Sequence, residues 1–174
     1  MSIWQFNRTM KKHLKHFSVA SLFFLLLGCT STVKQSVPFD ETQLTPYLAE
    51  GTATITGSAF LKTKGGEVKL GAGNTVKLFP ATDYFKERVK LAGTLKAFQQ
   101  LEGYDSRLNK YVRTTTADAQ GNFEFKDVPA GEYYASCSIT WQIRSGYGVR
   151  TTGGQPMVFV SVKAGETVKV VVTQ

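Results

Sequence analysis

The sequence predicts a mainly β protein, an antiparallel Ig-like β-sandwich of about seven strands with a short helical insertion near residues 83–102. Three observations predict it. From Thr52 onward apolar residues alternate with polar ones, the period-two pattern of strands buried on one face. Tight-turn sequences such as Lys64-Gly65-Gly66-Glu67, Asp118-Ala119-Gln120-Gly121 and Lys163-Ala164-Gly165-Glu166 punctuate these runs at near-regular spacing. Only one segment, 83–102, changes to the three-and-four spacing of a helix.

Taken in order, residues 1–28 come first. Arg8, Lys11, Lys12 and Lys15 stand without an acidic residue, an apolar run follows from Phe17 to Leu27, and small Gly28 precedes Cys29. That succession is the layout of a secretory signal, and the apolar run is shorter than the roughly 20 residues a membrane-spanning helix needs. Leu26-Leu27-Gly28-Cys29 resembles the lipobox of bacterial lipoprotein precursors. The resemblance implies cleavage between Gly28 and Cys29, with acylation of Cys29, palmitate included. Thr30 stands where an aspartate would mark inner-membrane retention in Gram-negative lipoproteins, so the comparison implies the outer membrane. Residues 29–51 are polar, carry Pro38 and Pro46 and lack a sustained period, which predicts a flexible lipid-anchored tether. Near its end Thr45-Pro46-Tyr47-Leu48 suits one helical turn, with Thr45 as N-cap and Pro46 at the first position.

The domain proper spans 52–174. Ala53, Ile55, Gly57, Ala59 and Leu61 alternate with Thr52, Thr54, Thr56 and Ser58, and the β-branched residues favour a strand. Asn74–Pro80 reads as the next strand. Thr82 is placed to cap a helix whose apolar face is Phe85, Val89, Ala92, Leu95 and Phe98, a stripe expected to pack on the sheet. Strands are expected at Tyr111–Thr116, at Asn122–Lys126 and from Glu132 to about Arg144. In the last of these Tyr133, Ala135, Cys137, Ile139, Trp141 and Ile143 share the inward face, which makes Cys137 a small buried hydrophobe. The glycine-rich stretch from Ser145 to Gly154 fits a hairpin or a mobile loop, and Met157–Val162 with Thr167–Thr173 fits a C-terminal hairpin.

The segment Thr116-Ala117-Asp118-Ala119-Gln120-Gly121-Asn122-Phe123-Glu124-Phe125, followed by Val128-Pro129-Ala130-Gly131-Glu132-Tyr133, resembles the core signature of carboxypeptidase regulatory-like domains. The resemblance implies a transthyretin-like sandwich from Thr52 to Val172 and no particular reaction. Physically, Asp118 is suited to bond the backbone of its own turn, Gly121 to supply a positive φ, and Gly131 to let the chain reverse.

Composition excludes several chemistries. Four of the 21 Lys+Arg and none of the 13 Asp+Glu lie in 1–28, which leaves a net charge of +4 and no case for a nucleic-acid partner. Both histidines, His13 and His16, lie in the signal segment, so the domain has no histidine for triad, general-base or zinc chemistry. With Cys29 acylated, Cys137 has no partner for an intrachain disulfide. Asp118, Asn122, Glu124 and Asp127 do not have the spacing of a calcium loop. No metal, cofactor or catalytic residue is implied. The chain also lacks the histidines and the Tyr-Arg-Gly-Ser ending of hydroxyisourate hydrolases, and no asparagine in its last strand could crosslink Lys77 as in Gram-positive adhesins.

The expectation is therefore a membrane-anchored envelope lipoprotein acting as a non-catalytic binding or scaffolding module. Its partners would be the membrane, through N-terminal acyl groups, and an envelope protein or glycan. The candidate binding loop comprises Arg144, Tyr147, Arg150 and Gln155, because tyrosine and arginine on loops suit recognition. One alternative is an assembly component of an envelope or secretion machine, working through the apolar insertion. A remoter one is a hydrolase using carboxylate pairs, Asp118 with Glu124 or Asp105 with Asp127.

Overall fold

The period-two residues form the strands expected of them and fix where the core lies. The computed structural model describes residues 31–96, 99–146 and 148–174. Among these are twelve strands, β1 (Ser31–Val33), β2 (Ala53–Lys62), β3 (Val68–Leu70), β4 (Thr75–Pro80), β5 (Gln99–Leu101), β6 (Arg113–Thr116), β7 (Asn122–Val128), β8 (Gly131–Cys137), β9 (Ile139–Ser145), β10 (Gly148–Gly154), β11 (Met157–Val162) and β12 (Thr167–Val172), with one helix, α1 (Asp83–Thr94).

Eight strands build the sandwich. One sheet has the order β11-β8-β4-β6; the other centres on β2, flanked by β12 and β7, with β3 pairing the last residues of β2. The inner faces meet in a core that includes Ile55, Val76, Leu78, Phe123, Phe125, Tyr133, Ala135, Cys137 and Val172. The sandwich is thus as expected, apart from β3 as an additional three-residue strand.

Several details differ. The sheets are not wholly antiparallel, because β12 runs parallel to β2, with Val170 opposite Gly57. The Lys163–Glu166 turn therefore does not close a hairpin: β11 pairs with β8 in one sheet and β12 with β2 in the other, so the turn carries the chain across the core. The long strand expected from Glu132 to Arg144 breaks at Ser138, where β8 leaves the sandwich and β9 starts a separate hairpin with β10. The burial alternation runs through the break, which is why the sequence reads as one strand.

The helix starts as predicted, with the Thr82 hydroxyl accepting from the Phe85 amide at 3.4 Å. It ends at Thr94, short of residue 102, and Leu95 is its C-cap. Gln99–Leu101 is instead a strand, parallel to Ser31–Val33. Phe98 lies outside the described residues.

Residues 29–51, expected to be a tether, pack on the domain from Ser31 onward. Leu44 is 1% exposed and joins Phe79, Tyr84, Phe85, Leu108 and Tyr111 in a second core on the outer face of the β11-β8-β4-β6 sheet. Glu87 of α1 accepts from the Ser36 and Val37 amides at 3.1 and 2.7 Å, and the Tyr111 hydroxyl donates to Glu41 at 2.5 Å. The polar spacing of 29–51 conceals this because Val37, Phe39 and Leu44 are isolated anchors with no period. Thr45 opens a 3-10 turn with Pro46 in its first positions but does not cap it; the cap position is Leu44.

Turn chemistry is partly as expected. Asp118 accepts from the Gln120 and Asn122 amides at 2.9 and 2.8 Å, and Gly121 has φ 81°. Late in β7, ahead of the next reversal, Asp127 is left-handed at φ 54°. Gly131 is needed for close packing, since a Cβ there would lie 3.0 Å from the Tyr47 ring.

Candidate functional site

The insertion and the outer sheet face together make a groove of about 850 Å³. Its construction follows from periodicity. The pleat of β4 sends Lys77 and Phe79 outward on the face that α1 crosses. On α1, Phe85, Arg88, Val89 and Ala92 recur at helical spacing and turn the same side toward the groove. Tyr104 and Asn109 close one flank, and Gln155, Met157 and Gln174 the other.

A buried aromatic pair underlies the groove. Phe79 and Phe85 stack with centroids 4.6 Å apart and planes 10° apart. Arg88 lies over the Tyr104 ring with its guanidinium carbon 5.0 Å from the centroid, and the Tyr104 hydroxyl donates to Asn109 Oδ1. Partial burial pushes the Tyr104 phenol above its ordinary range, so it stays a neutral donor and acceptor.

Beyond Lys77 and Gln155, which line both, the groove continues into a polar extension of about 440 Å³ bounded by Asn74, Thr75, Ser136, Ser138 and Thr140. Strand register explains the continuity: Lys77 is opposite Ser136, and Ser136 is opposite Met157, so one row crosses three strands. No acidic side chain lines either part.

Among the described residues three buried side-chain polar atoms lack a hydrogen-bond partner, and two of them, Arg88 Nη1 and Ser136 Oγ, belong to groove residues. Leaving such a group unpaired costs about 1–3 kcal/mol.

The sequence-predicted loop residues divide. Arg144 and Arg150 are exposed on the β9–β10 hairpin, where Arg144 is opposite Val149 and Arg150 opposite Ile143. Gln155 alone reaches the groove. Tyr147, Gly28 and Cys29 lie outside the described residues. The three described loop residues therefore do not meet in one site. Lys77, Arg88, Tyr104, Asn109 and Ser136, which form the groove, were not singled out by sequence as binding residues. The available signal was the helical insertion itself, whose stripe carries Arg88 beside Val89.

The carboxylates considered for catalysis have structural partners. Asp118 binds its turn amides, Asp105 caps a 3-10 turn and pairs with Arg107 at 2.7 Å, and Glu124 pairs with Lys126 at 3.4 Å. None of them, nor Asp127, lines the groove or its extension. Among the described residues no three His, Cys, Asp or Glu cluster as metal ligands would.

No family model matches the chain, and no curated protein matches it. Among solved structures it is similar to PA1324 of Pseudomonas aeruginosa, described as a candidate carbohydrate-binding protein. The two are 31% identical over 80% of this chain and 100% of that one, with a TM-score of 0.66. It also aligns with the major pilin subunit BcpA of Bacillus cereus at 14% identity over 71% of this chain and 30% of that one, TM-score 0.40. The minor pilin GBS52 of Streptococcus agalactiae aligns at 16% identity over 71% and 44%, TM-score 0.37. The pilin likenesses are too distant to bear on function.

Proposed function

We propose that this chain, which belongs to the family of the Pseudomonas aeruginosa protein PA1324, is a non-catalytic glycan-binding module of the bacterial cell envelope. The observation that carries this reading is the pairing of surfaces in the groove. Tyr104, the exposed aromatic at the rim above the buried Phe79–Phe85 pair, adjoins Asn109, Gln155, Ser138 and Thr140, and two buried polar atoms of the wall lack partners. A sugar ring has the matching duality, a face of C–H groups and an edge of hydroxyls, so one face rests on aromatic carbon while the edge meets amides and hydroxyls. The candidate carbohydrate binding of the 31% identical relative points the same way.

The address is part of the proposal. Leu26-Leu27-Gly28-Cys29 supports export and acylation at Cys29, and Thr30 supports the outer membrane. Acyl chains contribute about 0.8 kcal/mol per buried methylene, so a multiply acylated Cys29 would hold the module on its membrane. The turn signature from Thr116 to Tyr133 supports a carboxypeptidase regulatory-like scaffold, a role of support and display.

The test is retention of the chain on an array of bacterial envelope oligosaccharides, with Tyr104→Ala and Asn109→Ala alongside. Each variant is expected to weaken retention about tenfold or more, roughly one lost stacking or hydrogen-bonding contact. Failure of the unaltered chain to retain any saccharide would overturn the reading. Intact mass of membrane-extracted protein beside Cys29→Ala tests the address: a chain starting at Cys29 with acyl mass supports it, and an uncleaved chain refutes it.

A further inference from the structure

We infer that the groove selects anionic sugars, with Arg88 and Lys77 recognising a carboxylate or sulfate group on the saccharide; this rests on the glycan reading above. Two cationic side chains line the cavity and no acidic side chain does. Neither is in an ion pair among the described residues, whereas Lys86 pairs with Glu132 at 2.6 Å and Arg107 with Asp105 at 2.7 Å. Glu87, next to Arg88 in sequence, is occupied by the Ser36 and Val37 amides, and Asp105, next to Tyr104, by Arg107. Among the side chains that line the groove, these two positive charges have no negative counterpart.

Arg88 supplies the geometry. Its guanidinium rests on the Tyr104 ring, which limits its rotamers, and its Nη1 is buried with no acceptor. A guanidinium edge so held presents paired donors that fit a planar carboxylate or two sulfate oxygens. Lys77, exposed in the row with Ser136 and Met157, adds a second charge where the aromatic part meets the hydroxyl-lined extension. A neutral sugar would leave both charges unanswered.

The experiment is equilibrium binding of the full mature chain, in detergent, to oligosaccharides arranged as matched pairs. Hexuronate chains stand beside their carboxyl-reduced counterparts, and sulfated chains beside their desulfated ones. The anionic member of a pair is expected to bind about tenfold more tightly, with an advantage that shrinks as salt screens the groove charges. Lys77→Gln and Arg88→Gln should each bring the two members of that pair close to equal affinity, whatever either variant does to the affinity they share. Which pair responds decides between carboxylate and sulfate. Equal binding within every pair, or a preference that survives both substitutions, overturns the selectivity and leaves the glycan reading standing. Binding of no member, anionic or neutral, overturns both. Melting temperatures of the variants identify a folding defect, and Lys77, exposed on a strand, provides the variant least able to cause one.

Discussion

Asp127 is the residue where backbone and sequence are most at odds. It has φ 54° where the β2–β7 register shifts between Ala53 and Ile55, so that Lys126 and Asp127 together face Thr54. This is a bulge, and aspartate tolerates the left-handed region better than most residues without relieving it fully. Asp127→Gly is expected to leave stability unchanged or raise it by up to about 1 kcal/mol. Asp127→Val should lower it by about 1–3 kcal/mol, and thermal melts of the pair check both. Gly57 presents the opposite constraint, a matter of space: a Cβ would lie 2.4 Å from the Val170 carbonyl oxygen and 2.5 Å from the Phe123 ring. Gly57→Ala is expected to cost about 1–3 kcal/mol in a denaturant titration, because β2, β7 and β12 would all have to shift. Cys137 was legible from its neighbours alone, since alternation with Ser136 and Ser138 determines its side of the strand, and it is 1% exposed. Burial also pushes its thiol above the ordinary range, so native protein should react slowly with thiol reagents and quickly once unfolded. Asp127 was not legible, because a bulge is defined by the partner strand, and Ala53 lies far away in sequence.

At the scale of elements, one carboxylate ties the N-terminal segment to α1. Glu87 accepts from the Ser36 hydroxyl and from the Ser36 and Val37 amides, which holds its acid below the ordinary value of 4.5. A carboxyl with a depressed folded-state pKa contributes its stabilisation in full above the unfolded value and loses it as pH falls through the folded one. The melting temperature should therefore drop between about pH 5 and pH 3. Glu87→Gln should be less stable than the unaltered chain at neutral pH and converge with it in acid; parallel melting curves at every pH would show that the clamp contributes nothing. Thr82 made the start of this helix readable, because an N-cap is a local device. Its end was not, since apolar spacing continues past Thr94 while the chain is drawn into pairing with Ser31–Val33, more than sixty residues upstream. The Lys163–Glu166 turn illustrates the same limit. Its residues specify a tight reversal, and only the distant registers with β8 and β2 decide that it joins two sheets. The groove depends on such pairings as well, assembled from β4, α1, β5 and the 104–112 segment, so no single stretch of sequence announced it.

For the whole molecule, the packed N-terminal segment changes how an anchored chain would stand on its membrane. A free segment of 29–51 would let the domain range over tens of ångströms, but β1 begins at Ser31, so only Thr30 separates Cys29 from folded structure. One residue spans about 3.5 Å, which places the β1–β5 edge at headgroup level when Cys29 is acylated. The groove is lined by Leu101, opposite Val33 in that same edge, so a saccharide bound there would be held close to the lipid surface. A label at Gln100→Cys tests the arrangement, because Gln100 is exposed and opposite Thr32, while Cys137 is buried and an acylated Cys29 is unreactive. In vesicles whose headgroups carry nitroxide quenchers, fluorescence from this position is expected to be strongly quenched for the lipidated chain. The unlipidated Cys29→Ala chain, mixed with the same vesicles, should stay bright. Fluorescence as bright for the vesicle-bound lipidated chain would mean that residues 31–50 leave the domain at the membrane. The Glu87 clamp and the buried Leu44 would then have to yield together, which the acid-dependent melts of Glu87→Gln would detect independently.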